Sequence, residues 1–255
     1  MNTIIDTSVF CGYWPFRSLS IRTPEALKAF LQGHGVGQAW VAATEAVLYP
    51  DPMQGNEPLL EAVAGDDFFV PVAVIDVTLA TWRRDALTCL ERWGCRAFKL
   101  LPNYHQYDLS HPRVADLVDL AENAQVPVCI QVRMMDERGH HPLTKVPGVP
   151  LEQLIPLARR HLDARFLVCG VYYRELASLA DATNVWAEIS LVERERPLKI
   201  AVDTLGPERV VFGSHSPFIY FEAVAAKLNP EPGDVAPEVV QAVRADNAVA
   251  LLDGV

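Results

Sequence analysis

The 255-residue sequence has no block of basic residues. Its 32 acidic side chains outnumber 22 Lys and Arg, and the formal charge is −10. Nucleic-acid phosphates need clustered cations, so no nucleic-acid partner is expected. No apolar run is long enough to span a bilayer and no N-terminal signal-peptide pattern is present, which sets the expectation of a cytoplasmic protein without a membrane partner. CxxC pairs are missing. The five cysteines (Cys11, Cys89, Cys95, Cys129 and Cys169) are odd in number and widely spaced, and three lie in or beside apolar runs. They read as buried reduced thiols rather than disulfides or thiolate metal ligands. The Gly-rich dinucleotide loop is absent as well, and no HxH or HxxxH spacing offers a ligand pair.

Half of the residues are hydrophobic, enough for a large core, and about a fifth are charged. Eight short, mostly continuous apolar runs fall at 4–12, 39–44, 68–75, 97–101, 127–133, 165–171, 184–189 and 209–213. Continuous rather than alternating hydrophobicity is what strands covered on both faces require. Between them, amphipathic segments predict helices at 24–32, 59–64, 81–93, 114–123, 151–161, 175–182, 197–205, 221–228 and 235–252. The first is marked by Thr23 as N-cap and Pro24 at its first position. Eight strands alternating with helices over a length near the roughly 250 residues of such folds predict one (β/α)8 TIM-barrel domain spanning 1–255.

In that fold, polar residues at the C-terminal ends of strands carry function. They are Asp6 and Ser8 on the first run, Lys99 on the fourth, Gln131 and Arg133 on the fifth, Glu188 on the seventh and His215 after the eighth. The mixed charges suit acid–base catalysis and anion binding. Loop residues Asn103 and His105 follow the fourth strand. The long loop 134–150 carries Asp136, Glu137, His140 and His141. Trp14, Phe16, Tyr220 and Phe221 are candidates for an aromatic pocket wall.

The chain resembles the amidohydrolase-related family of metal-dependent TIM-barrel hydrolases along nearly its whole length. The resemblance is carried by the opening strand from Ile5 and Asp6 to Gly12, Phe98-Lys99-Leu100 with the segment 109–112, Val126-Pro127-Val128 and the segment 184–190. Its strongest piece is LGPERVVFGSHSP at 205–217, which is similar to the family's closing GP-x-R strand and GSD-x-P turn. The resemblance implies that the first strand should read Asp-x-His-x-His. Ser8 and Phe10 stand at those histidines, Gln131 at the fifth-strand histidine, Gly170 (or Cys169) at the sixth and His215 at the closing Asp.

Phe cannot coordinate a metal, and Ser, Gln and Gly are poor substitutes for imidazole. The expectation is therefore a site without a cofactor. The alternative is a divalent metal such as Zn at a non-canonical place, with His215 joined by Asp136, Glu137, His140 or His141. The leading expectation for function is a hydrolase acting on the C–N, ester or lactone bond of a small, anionic substrate. His215, Glu188 and Asp6 would be its acid–base set, and Arg133, Lys99, Asn103, His105, Gln131, His141 and Ser8 its substrate contacts. The alternatives are a decarboxylase of the same superfamily or a pseudoenzyme that binds a small molecule without turnover. Assembly as a homo-oligomer stays open.

Overall fold

The computed structural model describes residues 3–140 and 145–254. Eight parallel strands follow one another around a barrel in sequence order. They are β1 Ile4–Cys11, β2 Val36–Ala43, β3 Phe69–Val74, β4 Ala97–Leu100, β5 Val128–Gln131, β6 Phe166–Cys169, β7 Val185–Glu188 and β8 Val210–Val211. Strand eight, expected at 209–213, keeps only two residues in ladder geometry. Its partner is β7, while the seam to β1 is closed by separate bonds: Thr7 N–H to the Phe212 carbonyl (3.0 Å), His215 N–H to the Ser8 carbonyl (2.8 Å) and Phe10 N–H to the Ser216 carbonyl (2.8 Å). The barrel of the expected (β/α)8 class is thereby closed.

Helices α1 Pro24–Gly33, α2 Met53–Val63, α3 Trp82–Trp93, α4 Pro112–Ala124, α5 Leu154–Arg160, α6 Pro197–Leu205, α7 Phe221–Ala225, α8 Pro237–Gln241 and α9 Asn247–Asp253 cover the outside. Their boundaries follow local chemistry. Thr23 Oγ1 accepts the Ala26 N–H at the start of α1, and Gly94 takes the left-handed conformation that ends α3.

Three expectations need correction. Helix α2 starts six residues earlier than predicted and runs through Pro58. A proline there removes a helical hydrogen bond. The tertiary ties outweigh it, because the Asn56 side chain pairs with both the N–H and the carbonyl of Val74 (3.2 and 2.7 Å). A Cβ on Gly55 would lie 2.6 Å from the Ala46 nitrogen, so only glycine allows this approach. The helix expected over 175–182 is a single 3-10 turn, Leu176–Leu179. The long closing helix is divided: α8 begins at Pro237, and a π-helical turn Ala242–Asp246 separates it from α9. That wider turn frees the Val243 carbonyl to accept the Phe212 N–H at 2.9 Å, joining the final helix to the end of β8. Among the described residues no helix is long and apolar enough to cross a membrane.

Candidate active site

Six of the sequence-predicted residues converge inside the C-terminal end of the barrel. Asp6, Ser8, Gln131, Glu188 and His215 are completely buried, and Lys99 is 1 % exposed. The Lys99 ammonium donates to Gln131 Oε1 at 2.9 Å and lies 4.5 Å from the centre of the Phe10 ring. Gln131 Nε2 donates to the Arg133 carbonyl at 2.7 Å and sits 3.5 Å from His215 Nδ1. His215 Nε2 is 2.9 Å from the Met134 carbonyl. A carbonyl only accepts, so Nε2 carries the proton and Nδ1 keeps its lone pair toward Gln131. Burial, reinforced by the Lys99 charge, pushes the His215 pKa down to about 3.

The two acids are held differently. Asp6 Oδ1 accepts from the N–H groups of Ser214 (2.8 Å) and Ser8 (3.2 Å), while Oδ2 is buried without a partner. Burial outweighs those bonds and raises its pKa to about 7. Glu188 takes the N–H of Gly170, the N–H of Ser190 and the Ser190 hydroxyl (2.8 Å). Its pKa is raised, chiefly by burial. Ser8 Oγ, like Asp6 Oδ2, lacks a protein partner. Gly213 is the spacer of this cluster, since a Cβ there would lie 2.8 Å from the Glu188 Cβ and 3.1 Å from that of Ser8.

Arg133 is placed outside the cluster. Its guanidinium donates to both carboxylate oxygens of Glu175 (2.6 and 2.8 Å), to Glu137 (3.0 Å) and to the Gly170 carbonyl, and it stacks 3.8 Å from the Tyr172 ring centre. Gly170, at the expected sixth-strand histidine, has φ +75° and no room: a Cβ would meet the Arg133 carbonyl at 2.8 Å. His105 faces the loop after β2, with Nε2 3.2 Å from the Ala46 carbonyl, and does not line the cavity described below. Asn103 ties two rim loops by donating to the carbonyls of Val132 and Pro147, both at 2.9 Å. His141 lies outside the described residues.

Above the cluster is a cavity of about 900 Å³, formed by the loops after β1, β2, β4, β5, β7 and β8. Its aromatic lining is Trp14, Phe16, Tyr104, Phe218 and Tyr220. Phe221, expected in this wall, packs instead against Phe30 and Phe212. None of the six buried residues reaches the cavity. Phe218 closes it from below, with its ring 5.9 Å from His215, 5.6 Å from Phe10 and 5.1 Å from Trp14.

The cavity has its own charges. Asp136 and Glu193 are both paired with Arg138, which holds the Asp136 pKa down at about 2. Arg17 and Lys145 also line the cavity and have no ion pair among the described residues. Arg17 lies over Phe218 and donates to its carbonyl at 2.8 Å. The Trp14 indole N–H is buried without an acceptor. Sequence reasoning missed Arg17 and Lys145. The aromatic run YWPFR around Arg17 was the available signal, whereas Lys145 in a loop without periodicity offered none.

The chain matches the family model Amidohydro_2, described as Amidohydrolase, over residues 25–254. It belongs to the amidohydrolase family. No curated protein matches it in sequence. Among solved structures, 2,6-dihydroxybenzoate decarboxylase from Rhizobium is similar over 99 % of both chains at 12 % identity and a TM-score of 0.75. A dihydroxybenzoic acid decarboxylase from Polaromonas sp. JS666, holding manganese and the inhibitor 2-nitroresorcinol, is similar over 99 % of this chain and 97 % of that one, at 14 % identity and a TM-score of 0.74. The 5-carboxyvanillate decarboxylase of Sphingomonas paucimobilis covers 99 % of each chain at 13 % identity and a TM-score of 0.72. These similarities establish a shared fold.

The family implies a metal at the barrel centre, and the residues present there do not fit one. Phe10 and Gly170 offer no donor atom, Gln131 Oε1 is taken by an ammonium, and Nε2 of His215 is protonated while its Nδ1 faces the Gln131 amide. This leaves the unpartnered Asp6 Oδ2 and Ser8 Oγ, one carboxylate oxygen and one hydroxyl, short of the three protein ligands of a catalytic metal site. Asp136 and Glu137, candidates for a rebuilt site, are committed to Arg138 and Arg133. Among the described residues, the one group of three metal-capable side chains is Asp119, Glu122 and His161, with ligand atoms within 4.8 Å of one another. It lies on the outer helical layer, between α4 and the end of α5. A divalent metal held there would be at a non-canonical place, away from the His215-centred site expected from the sequence.

Proposed function

We propose that this member of the amidohydrolase family takes a small aromatic carboxylic acid into the cavity above the barrel and removes its carboxyl group, rather than hydrolysing an ester, lactone or amide. The observation that carries this reading is the separation of the cavity from the polar cluster by Phe218. Hydrolysis consumes a water that has to be activated, and the acid–base groups placed for that in this fold are sealed below the aromatic floor. Decarboxylation consumes no water. The ring carbon that bears the carboxylate takes up one proton through a ring π pair, the carbon–carbon bond breaks, and its electron pair restores the aromatic ring as CO2 leaves.

The lining supports that substrate class. Five aromatic side chains suit a planar ring, and Arg17 and Lys145 bring positive charge unneutralised by acids to a chain whose net charge is −10. The orphaned Trp14 N–H adds a donor. His140 also lines the cavity, and in this reading its imidazole delivers the proton. His215, Glu188, Asp6, Lys99, Gln131 and Ser8 then serve as the internal frame of the site, and Arg133 as the anchor of the loop after β5. The three decarboxylases of the same fold add support for the reaction class.

A second reading is binding without turnover. Internal engagement of the Lys99, Gln131, His215 and Glu188 side chains favours it. One experiment separates the readings: purified protein is incubated with a panel of phenolic carboxylic acids and with their methyl esters, lactones and amides. Release of CO2 and the matching phenol supports decarboxylation. Saturable binding without CO2 assigns the chain to the second reading, and cleavage of the esters, lactones or amides refutes both.

A further inference from the structure

A barrel centre that family members equip with a metal contains, in this chain, a fixed organic cation. Lys99 projects from β4 with its ammonium 2.9 Å from Gln131 Oε1 and 4.5 Å from the Phe10 ring centre. Both contacts come from positions that resemblance assigns to metal-binding histidines, and both are chemically matched to an ammonium. An amide oxygen accepts from an N–H, and an aromatic face attracts a cation. The same two side chains are mismatched to a divalent metal, which Phe cannot ligate.

The surroundings point the same way. Burial raises the pKa of Asp6 to about 7 and also raises that of Glu188, so neither acid is a free counter-charge, and a second lysine approaches Glu188 from outside. Lys227 Nζ donates to the Ile189 and Ser190 carbonyls at 2.8 and 2.7 Å, beside Glu188. With the Lys99 ammonium already at the centre and Glu188 faced by Lys227, a dication would add two positive charges beside an existing one. Burying unpaired charge is expensive. The substitutions at Ser8, Phe10, Gln131 and Gly170 thus form one consistent replacement, with a lysine contact at Phe10 and Gln131 and a glycine where the Arg133 backbone needs the space.

We propose that the Lys99 ammonium is the built-in cation of the barrel centre and that this centre takes up no divalent metal. The proposal does not depend on which ligand the outer cavity accepts.

The test uses the full chain carrying His161→Gln, which removes the imidazole of the outer Asp119–Glu122–His161 group. The protein is dialysed against Mn2+ or Zn2+ and desalted, its metal content is measured, and its melting midpoint is recorded with and without chelator. Less than about one tenth of an ion per chain and a midpoint unmoved by metal or chelator are expected. Stoichiometric retention of either metal overturns the proposal. A second measurement reads the cation itself. In protein labelled with 15N-lysine, an ammonium resonance with slowly exchanging protons is expected at neutral pH and is lost in Lys99→Arg, which keeps the charge. A neutral-amine resonance assigned to Lys99 overturns the proposal.

Discussion

The imidazole of His215 donates its Nε2 proton to the Met134 carbonyl at 2.9 Å, in a position without solvent exposure. This pairing joins the turn after β8 to the loop after β5 and fixes the ring in one neutral tautomer. His215 itself has φ +59°, a left-handed conformation that costs a non-glycine residue energy, so the turn is held by its surroundings.

The pairing determines a pH dependence. In the folded chain the His215 pKa lies at about 3 instead of 6.5, because burial and then the Lys99 charge disfavour the imidazolium. The unfolded chain takes up this proton below pH 6.5, and the folded chain refuses it until near pH 3. The stability contributed is therefore present above pH 6.5 and lost as the pH falls toward 3. Urea unfolding between pH 7 and pH 4 should show a steeper loss in the wild type than in His215→Gln, by up to about 1.4 kcal/mol per pH unit. Equal slopes would mean that the ring is protonated in the folded state.

Asp6 works in the opposite direction. Its pKa is raised from 3.8 to about 7, mainly by burial, so the stability it contributes is present below pH 3.8 and lost as the pH rises through 7. At pH 8 the folded chain holds a buried carboxylate with one unpartnered oxygen. Asp6→Asn keeps an acceptor for the Ser214 and Ser8 N–H groups and removes the charge. Its melting midpoint should exceed the wild-type value by several degrees at pH 8, at about 2–4 °C per kcal/mol, with the advantage shrinking by pH 5. A lower midpoint at pH 8 would show that the ionised carboxylate is needed.

For Arg133 the expectation is structural. Its buried guanidinium links Glu137, Glu175 and the Gly170 carbonyl. Arg133→Ala should cost about 1–3 kcal/mol in urea unfolding, because the hydrogen bonds of the buried guanidinium are lost while Glu137 and Glu175 stay partly solvated. Arg133→Lys should recover little, since an ammonium cannot reproduce the fork. Near-wild-type stability of Arg133→Ala, with weakened ligand binding, would return Arg133 to the substrate.

The barrel was legible because its strands are buried on both faces and read as continuous apolar runs, as in 68–75 and 165–171. The start of α2 was not, because Pro58 marks a break by local rules while the Asn56–Val74 pairing that overrides it is tertiary. Strand alternation brought Asp6, Ser8, Lys99 and Gln131 to the barrel centre correctly. What it could not show is that Phe10, Trp14 and Phe218, from opposite ends of the chain, close over them. The partner of Arg133 was hidden for a related reason: Glu175 lies 42 residues downstream, beyond any local pattern.

In the proposed function the mouth of this barrel recognises an aromatic ring by its walls and a carboxylate by its cations. The most direct measurement is calorimetric titration of 2,6-dihydroxybenzoate and of its methyl ester into the wild type and into Arg17→Ala and Lys145→Ala. The acid should bind, the ester should bind at least about tenfold more weakly, and one or both substitutions should weaken the acid by about tenfold while leaving the ester unchanged. Equal affinity for acid and ester, or indifference of the acid to both substitutions, would contradict the proposed function.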